Sequence, residues 1–112
     1  ANKLDFFKTY IEISAMDKKE YEQGYQDGIE AIDELSAEEM SIKNIDYKCG
    51  FVMGFTEDSS THMMGTIIAA RIGELTRKYN IPLDHMVEIF PGKDYQEYYG
   101  DFKMGYDSGS GL

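Results

Sequence analysis

The stretch that decides the fold is Tyr21-Glu-Gln-Gly24-Tyr25-Gln-Asp-Gly28, in which aromatic residues and glycines alternate at fixed spacing. The same pattern occurs twice more, as Tyr47-Lys-Cys-Gly50-Phe51-Val-Met-Gly54 and as Phe102-Lys-Met-Gly105-Tyr106-Asp-Ser-Gly109. Chance matching at this composition predicts about 0.02 copies, so the repeat has a physical cause. The copies lie 26 and 55 residues apart, so they do not form a regular solenoid.

On a helix, each copy places its two aromatic rings on one face and leaves its two glycines as an adjacent groove. A glycine inside a helix costs about 1 kcal/mol relative to alanine, and close approach of a second helix offsets that cost. The stripe Gly65, Ala69 and Gly73 can supply such a partner surface. We define the glycine–aromatic seam by its residues: Tyr21, Gly24, Tyr25, Gly28, Tyr47, Gly50, Phe51, Gly54, Phe102, Gly105 and Tyr106.

The favoured interpretation of the seam is an intramolecular core. The alternative is that one copy forms a partner surface or the interface of a homodimer. In either case Gly50→Leu should disrupt the fold or the seam, because a side chain would enter the groove.

Apolar periodicity and capping signals predict helices along almost the whole chain. Asp17 and Ser36 are predicted N-caps, each followed by a glutamate that can cap back. Asn44 or Asp46 starts the helix of the second copy, and Asp84 and Asp94 are further caps. The predicted helices cover residues 3–13, 17–35, 36–43, 44–55, 61–79 and 84–89, with a loop at 56–60. A last predicted helix begins at Asp94 and holds the third copy.

These elements predict an all-α protein, a compact bundle of about five or six short helices packed through the seam. Residues 84–89 also alternate, which leaves a short strand as an alternative there. After Gly105 the chain has little helix preference, so a loop is expected. The predicted organisation is a single helical domain over 1–107 and a flexible tail over 108–112.

The formal net charge is -10 and the sequence pI is about 4.5. A chain this acidic is not expected to bind nucleic acid directly or to bind anionic membranes, and it favours a basic protein surface. There is no apolar run of about 18 residues, so no membrane span is predicted. A single cysteine excludes a disulfide within one chain, which indicates a cytoplasmic protein.

Most of the negative charge lies in residues 17–47, which hold ten acidic residues and three lysines. Carboxylates spaced along a helix can mimic the phosphates of a nucleic-acid strand. The predicted partner-binding residues are Asp27, Glu30, Asp33, Glu34, Glu38 and Glu39. The alternative is that these carboxylates form only a solvated face.

No pattern for catalysis or metal binding is complete. His62 follows serines without a glycine-flanked nucleophile elbow, and His85 with Glu88 gives only two ligands. Cys49 is interpreted as a buried structural thiol. The sequence therefore predicts no enzyme activity, no cofactor and no metal.

The segment Gly24-Tyr25-Gln-Asp-Gly28-Ile29 is similar to the Gly-Tyr-x-x-Gly core of the ribosome modulation factor family, and the second copy is similar to its second helix. The resemblance covers about a third of the chain. That family is strongly basic because it binds ribosomal RNA, so its role does not carry over to an acidic chain. The size, acidity and repeats also resemble small phage-encoded inhibitors of host defence, including anti-CRISPR proteins, which implies a bacterial host cell.

The leading hypothesis is a small acidic binding protein that occupies the basic nucleic-acid-binding surface of a host protein. The second hypothesis is an assembly protein whose seams join protomers. A third is an enzyme or small-ligand sensor, in which tyrosines and carboxylates hold a cation.

Overall fold

The computed structural model describes residues 18–59, 65–89 and 98–109. Over these ranges the regular secondary structure is helical and no strand is present, which confirms the predicted all-α class. The helices are α1, described over residues 18–30, followed by α2 (Ala37–Met40), α3 (Ile45–Ser59), α4 (Gly65–Lys78), α5 (Leu83–Ile89) and α6 (Tyr99–Gly109).

Helices α1 and α3 pack backbone against backbone at the first two copies of the repeat. A Cβ atom built on Gly24 would overlap the carbonyl oxygen of Tyr47, and one on Gly50 would overlap that of Tyr21. A Cβ on Gly28 would lie 2.5 Å from the carbonyl oxygen of Phe51. Only glycine fits at these positions, because any side chain would meet main-chain atoms that cannot move aside.

The contacts also fix the direction of the two helices. Gly24 faces Tyr47, and Gly28, one turn further on, faces Phe51, one turn further along α3. The helices α1 and α3 therefore run parallel, and each glycine faces the carbonyl three residues before its counterpart glycine. Small residues four apart are typical of helix pairs that approach this closely.

Helices α4 and α6 repeat this arrangement with the third copy. A Cβ on Gly73 would overlap the carbonyl of Phe102, and one on Gly105 would overlap the carbonyl of Ala70. At the C-terminal ends of both helices, the Arg77 guanidinium lies 4.0 Å from the centre of the Tyr106 ring. The chain thus consists of two parallel helix pairs, α1 with α3 and α4 with α6, and each connection contains a short helix.

The core lies between these two pairs. The ring of Phe51 from α3 meets the ring of Tyr79 edge to face at 6.2 Å between centroids. The Tyr79 hydroxyl donates to the carbonyl of Leu35 at 2.7 Å, which ties the end of α4 to the α1–α2 connection. The buried apolar residues are Met40, Tyr47, Cys49, Phe51, Val52, Ala69, Ile72, Leu75, Tyr79, Ile81, Met86 and Phe102.

Two helix ends follow the sequence prediction closely. The Ser36 hydroxyl accepts a hydrogen bond from the Glu39 backbone amide, and the Glu39 carboxylate accepts one from the Ser36 backbone amide. The predicted capping box of α2 is therefore present. Asn80 ends α4 with a positive φ of 55°, and the Ile81 amide donates to the carbonyl of Thr76. This pair of features is the Schellman motif, and it satisfies carbonyls at the end of the helix.

Several predicted helix boundaries are wrong, and the end of α2 is one of them, since it lies at Met40 instead of residue 43. Helix α1 ends at residue 30 instead of 35, because the chain turns to bring Leu35 to Tyr79. Helix α3 continues to Ser59 through the predicted loop, since the Thr56 hydroxyl is satisfied by the carbonyl of Val52 at 2.8 Å.

A further wrong boundary is the loop expected after Gly105, because α6 is helical through Gly109. At α5 the alternative of a strand is also excluded, although the helix begins at Leu83 with Asp84 in its first turn instead of at the cap. The predictions for residues 3–13, for 60–64, for the caps Asp17 and Asp94, and for 110–112 lie outside the described residues.

The seam predicts opposite effects of alanine at two helical glycines. Gly50→Ala should lower the free energy of unfolding by at least about 2 kcal/mol, because the methyl group would overlap the backbone of α1. Gly100→Ala in α6 should be neutral or stabilising by up to about 1 kcal/mol, since a Cβ there meets nothing within 4 Å.

Urea unfolding followed by far-ultraviolet circular dichroism measures both variants. Equal unfolding midpoints for the Gly50→Ala and Gly100→Ala proteins would contradict the close contact of α1 with α3.

Candidate functional site

The six predicted partner-binding acids fall into two groups in the structure. Asp27 belongs to the group with structural roles. Its carboxylate accepts a 2.5 Å hydrogen bond from the Tyr47 hydroxyl and a 2.9 Å hydrogen bond from the side-chain amide of Gln23. Burial, followed by this hydrogen bond to Asp27, raises the pKa of Tyr47 well above its usual value. Asp27 therefore ties α1 to α3.

Glu34 and Glu39 also have partners within the chain. The Glu34 carboxylate lies 2.6 Å from the Arg71 guanidinium and also pairs with the Lys78 ammonium group. Both cations come from α4, so Glu34 joins the α1–α2 connection to the second helix pair. Glu39 completes the capping box of α2.

The other three acids, Glu30, Asp33 and Glu38, are exposed. We call them the acidic corner, because they lie where α1 ends, the chain turns, and α2 begins. Within the described residues none of them is in an ion pair, and Glu30 accepts only a 3.1 Å hydrogen bond from Gln26. Ile32, between Glu30 and Asp33, is 93% exposed.

Most cations of the described ranges are engaged within the chain, so they do not neutralise this corner. Lys48 is buried, and its ammonium group donates to the carbonyl of Tyr79 at 3.0 Å, where the negative end of the α4 dipole favours it. Arg77 stacks on Tyr106 and donates to its carbonyl. Other cations form ion pairs with carboxylates, namely Lys18 with Glu22, Arg71 with Glu34 and Glu74, Lys78 with Glu34, and Lys103 with Asp107.

The structure places the seam residues against one another within a single chain. The rings of Tyr21 and Tyr25 stack at 6.3 Å, and those of Phe51 and Phe55 stack at 5.8 Å. Main-chain atoms of this chain already fill the space beside Gly24, Gly28, Gly50, Gly54, Gly73 and Gly105. These glycines leave no open groove for a second protomer.

Cys49 lies within this core and has no exposed surface. Burial, with the nearby Asp46 charge, raises the pKa of the Cys49 thiol to about 12. The thiolate is the reactive form of cysteine, so this thiol is chemically quiet at neutral pH.

Of the two histidines, His85 lies within the described residues. His85 lies 3.0 Å from the Asp46 carboxylate across the gap between α5 and α3, so its hydrogen-bond partner is Asp46. His62 lies outside the described residues. Over the described ranges no three acidic, histidine or cysteine side chains gather where they could hold a metal ion.

A groove that the sequence did not predict lies between α3 and α4. Its volume is about 560 Å³, and it is lined by Phe55, Thr56, Ile67, Ile68, Ala70, Arg71 and Glu74. The face of α4 that the sequence pattern singled out was the small-residue stripe Gly65, Ala69 and Gly73. The signal that could have revealed the groove is a second face of α4, since Ile67, Ala70, Arg71 and Glu74 fall at i, i+3, i+4 and i+7.

The fold and these surfaces define a small all-α protein built on glycine-mediated parallel helix pairs, with an acidic corner beside an apolar groove. The chain belongs to the DUF2623 family, a family described as a protein of unknown function, which matches residues 16–108. That range contains the first two copies of the repeat and most of the third. No curated protein and no solved structure matches the chain. Among the described helices, none is long and apolar enough to cross a membrane.

The burial of Cys49 predicts that the native protein does not react with a thiol reagent such as Ellman's reagent at pH 8. In denaturing guanidinium chloride the same thiol should react at the rate of a free cysteine, because the low accessibility is a property of the fold. Absorbance at 412 nm follows the reaction. Native reactivity within a factor of ten of the unfolded rate would show that the thiol is accessible.

The ion pairs of Glu34 predict that Glu34 contributes to stability and that its neighbour Asp33 does not. Glu34→Gln should lower the free energy of unfolding by about 1 kcal/mol, since a carboxylate that is 26% exposed loses two cations. Asp33→Asn should leave stability unchanged, and added salt should reduce the Glu34 effect. Urea unfolding at low and at high salt measures both, and equal stabilities of the two variants would contradict this role of Glu34.

Proposed function

We propose that this protein binds a basic protein surface through the acidic corner, and that it inhibits a nucleic-acid-binding host protein by occupying that surface. The observation that carries the proposal is the exposed group Glu30, Asp33 and Glu38, none of which forms an ion pair within the described residues. An almost fully exposed Ile32 lies among them. Carboxylates attract and orient a cationic partner, and an apolar side chain at the same place gains free energy when the contact excludes water.

Three of the six acids that the sequence suggested support the proposal best. Asp27, Glu34 and Glu39 stabilise the fold, so their replacement would change stability as well as binding. The proposal therefore rests on Glu30, Asp33 and Glu38, which can be neutralised without removing a described ion pair. The net charge of -10 supports a protein partner over direct binding of nucleic acid. No catalytic step is assigned.

The alternative function, assembly of protomers through the seam, receives less support. Its glycines pack against the backbone of their own chain, so a second copy would have to displace α1, α3 or α6.

Affinity capture with matched variants tests the proposal. The corner variant carries Glu30→Gln, Asp33→Asn and Glu38→Gln. The control variant carries Glu20→Gln, Asp84→Asn and Glu88→Gln, which are also exposed positions and give the same net charge. The wild type and the control should capture the same basic nucleic-acid-binding proteins, and the corner variant should bind them at least about tenfold more weakly.

The captured protein is then purified and its binding to labelled nucleic acid is measured. Wild-type protein should displace the nucleic acid, and the corner variant should do so only at higher concentration. Capture and displacement that are the same for the wild type and the corner variant would refute the proposal.

A further inference from the structure

The acidic corner and the groove between α3 and α4 are neighbours. We propose that the groove binds an amphipathic helical segment of the partner protein, with the apolar side in the groove and lysines or arginines beside the acidic corner. This inference rests on the proposed function, because it gives the chemistry of the same partner.

One face of α4 supplies most of the groove lining. Ile67, Ala70, Arg71 and Glu74 form one face of α4 over two turns, about 10 Å along the axis. Phe55 and Thr56 from α3 and Ile68 from α4 complete the lining. Ile67 is 50% exposed at this face, although isoleucine prefers burial. A surface of this length accepts apolar side chains at i, i+3 or i+4, and i+7 of a docked helix.

Two contacts join the groove to the acidic corner. A Cβ on Gly28 would lie 2.7 Å from the backbone nitrogen of Phe55, so the end of α1 lies against the α3 side of the groove. On the α4 side, Arg71 contacts Glu34, the residue after Asp33. The chain from Gly28 to Glu34, which contains Glu30 and Asp33, is therefore held at the groove from both ends.

The charges at the rim select a cationic partner. Arg71 is the cation of the lining, and its guanidinium group is paired with Glu34 at 2.6 Å and lies 3.9 Å from Glu74. Arg71 and Lys78 balance the Glu34 and Glu74 carboxylates, so the negative charge beside the groove comes from Glu30, Asp33 and Glu38 of the acidic corner. Lysine or arginine beside the apolar side chains of a docked helix would complement it.

Other occupants fit less well. A second copy of this chain would bring two molecules of net charge -10 together, which repulsion opposes. An extended peptide binds by adding a strand to an open sheet edge, and the described part of the chain has no sheet.

Fluorescence anisotropy with synthetic probes tests the inference. The probe is a fluorescein-labelled peptide of leucine and lysine, with leucines at i, i+3, i+4 and i+7. A second peptide has the same composition with its leucines spread around the helix, and a third has glutamate in place of lysine. At about 0.15 M salt the first peptide should bind at least about tenfold more tightly than either control.

Protein variants locate the contact. Ile67→Gln replaces an exposed apolar side chain of the groove and should weaken binding of the first peptide by about five- to tenfold. Met104→Gln is the matched control, since Met104 is 64% exposed on α6 and the substitution also leaves the charge unchanged. The Met104→Gln protein should bind as the wild type does. Circular dichroism confirms that both variants keep the helical fold.

The outcomes separate this inference from the proposed function. Equal binding of the first two peptides, or an unchanged affinity in the Ile67→Gln protein, would overturn the inference that the groove binds an amphipathic helix. If the corner variant then still loses its captured partners, the proposed function stands. Weaker binding of the first peptide in both the Ile67→Gln protein and the corner variant supports groove and corner as one site. An affinity that falls with Ile67→Gln but is unchanged in the corner variant would refute the stated partner chemistry.

Discussion

The contact between the backbones of α1 and α3 sets the geometry on which the other elements depend. Because Gly24 and Gly50 carry no side chain, each helix lies directly on a carbonyl of the other. Two parallel helices cannot be joined by a tight turn, so the chain must return from the end of α1 to the start of α3. The return passes through the α1–α2 connection and α2, and this path places the acidic corner on the surface. The α4–α6 pair is also parallel, and the chain that connects its two helices contains α5.

The two helix pairs are then held together by polar contacts around an aromatic centre. The ring of Phe51 contacts the ring of Tyr79. The Lys48 ammonium group donates to the Tyr79 carbonyl, and the Tyr79 hydroxyl donates to the Leu35 carbonyl, so both contacts hold the end of α4. Glu34 adds a charged link from the α1–α2 connection to α4. Because Arg71 and Lys78 pair with Glu34, they form no ion pair with Glu30, Asp33 or Glu38. The same packing therefore produces both the stability of the fold and the negative surface that is proposed to bind a partner.

The repeat in the sequence predicted most of the fold. The spacing of glycines and rings predicted helices that approach closely, and capping residues located the start of α2 and the end of α4. What the sequence could not show was the direction of the helices, because parallel and antiparallel pairs need the same glycine spacing. It also could not separate Asp27 and Glu34 from Glu30 and Asp33, since their partners Tyr47 and Arg71 are 20 and 37 residues away in the chain. The groove needed two helices to be placed side by side before Ile67 could be recognised as exposed.

The central claim is that α1 and α3 lie parallel in direct backbone contact. Nuclear Overhauser contacts between the α-protons of the α1 glycines and the amide protons of α3 test it most directly. The account predicts contacts from Gly24 to the amide of Phe51 and from Gly28 to the amide of Phe55, where a Cβ would lie 3.0 Å and 2.7 Å from the nitrogen atoms. The absence of both contacts, or their reversal so that Gly24 meets Phe55 and Gly28 meets Phe51, would contradict it.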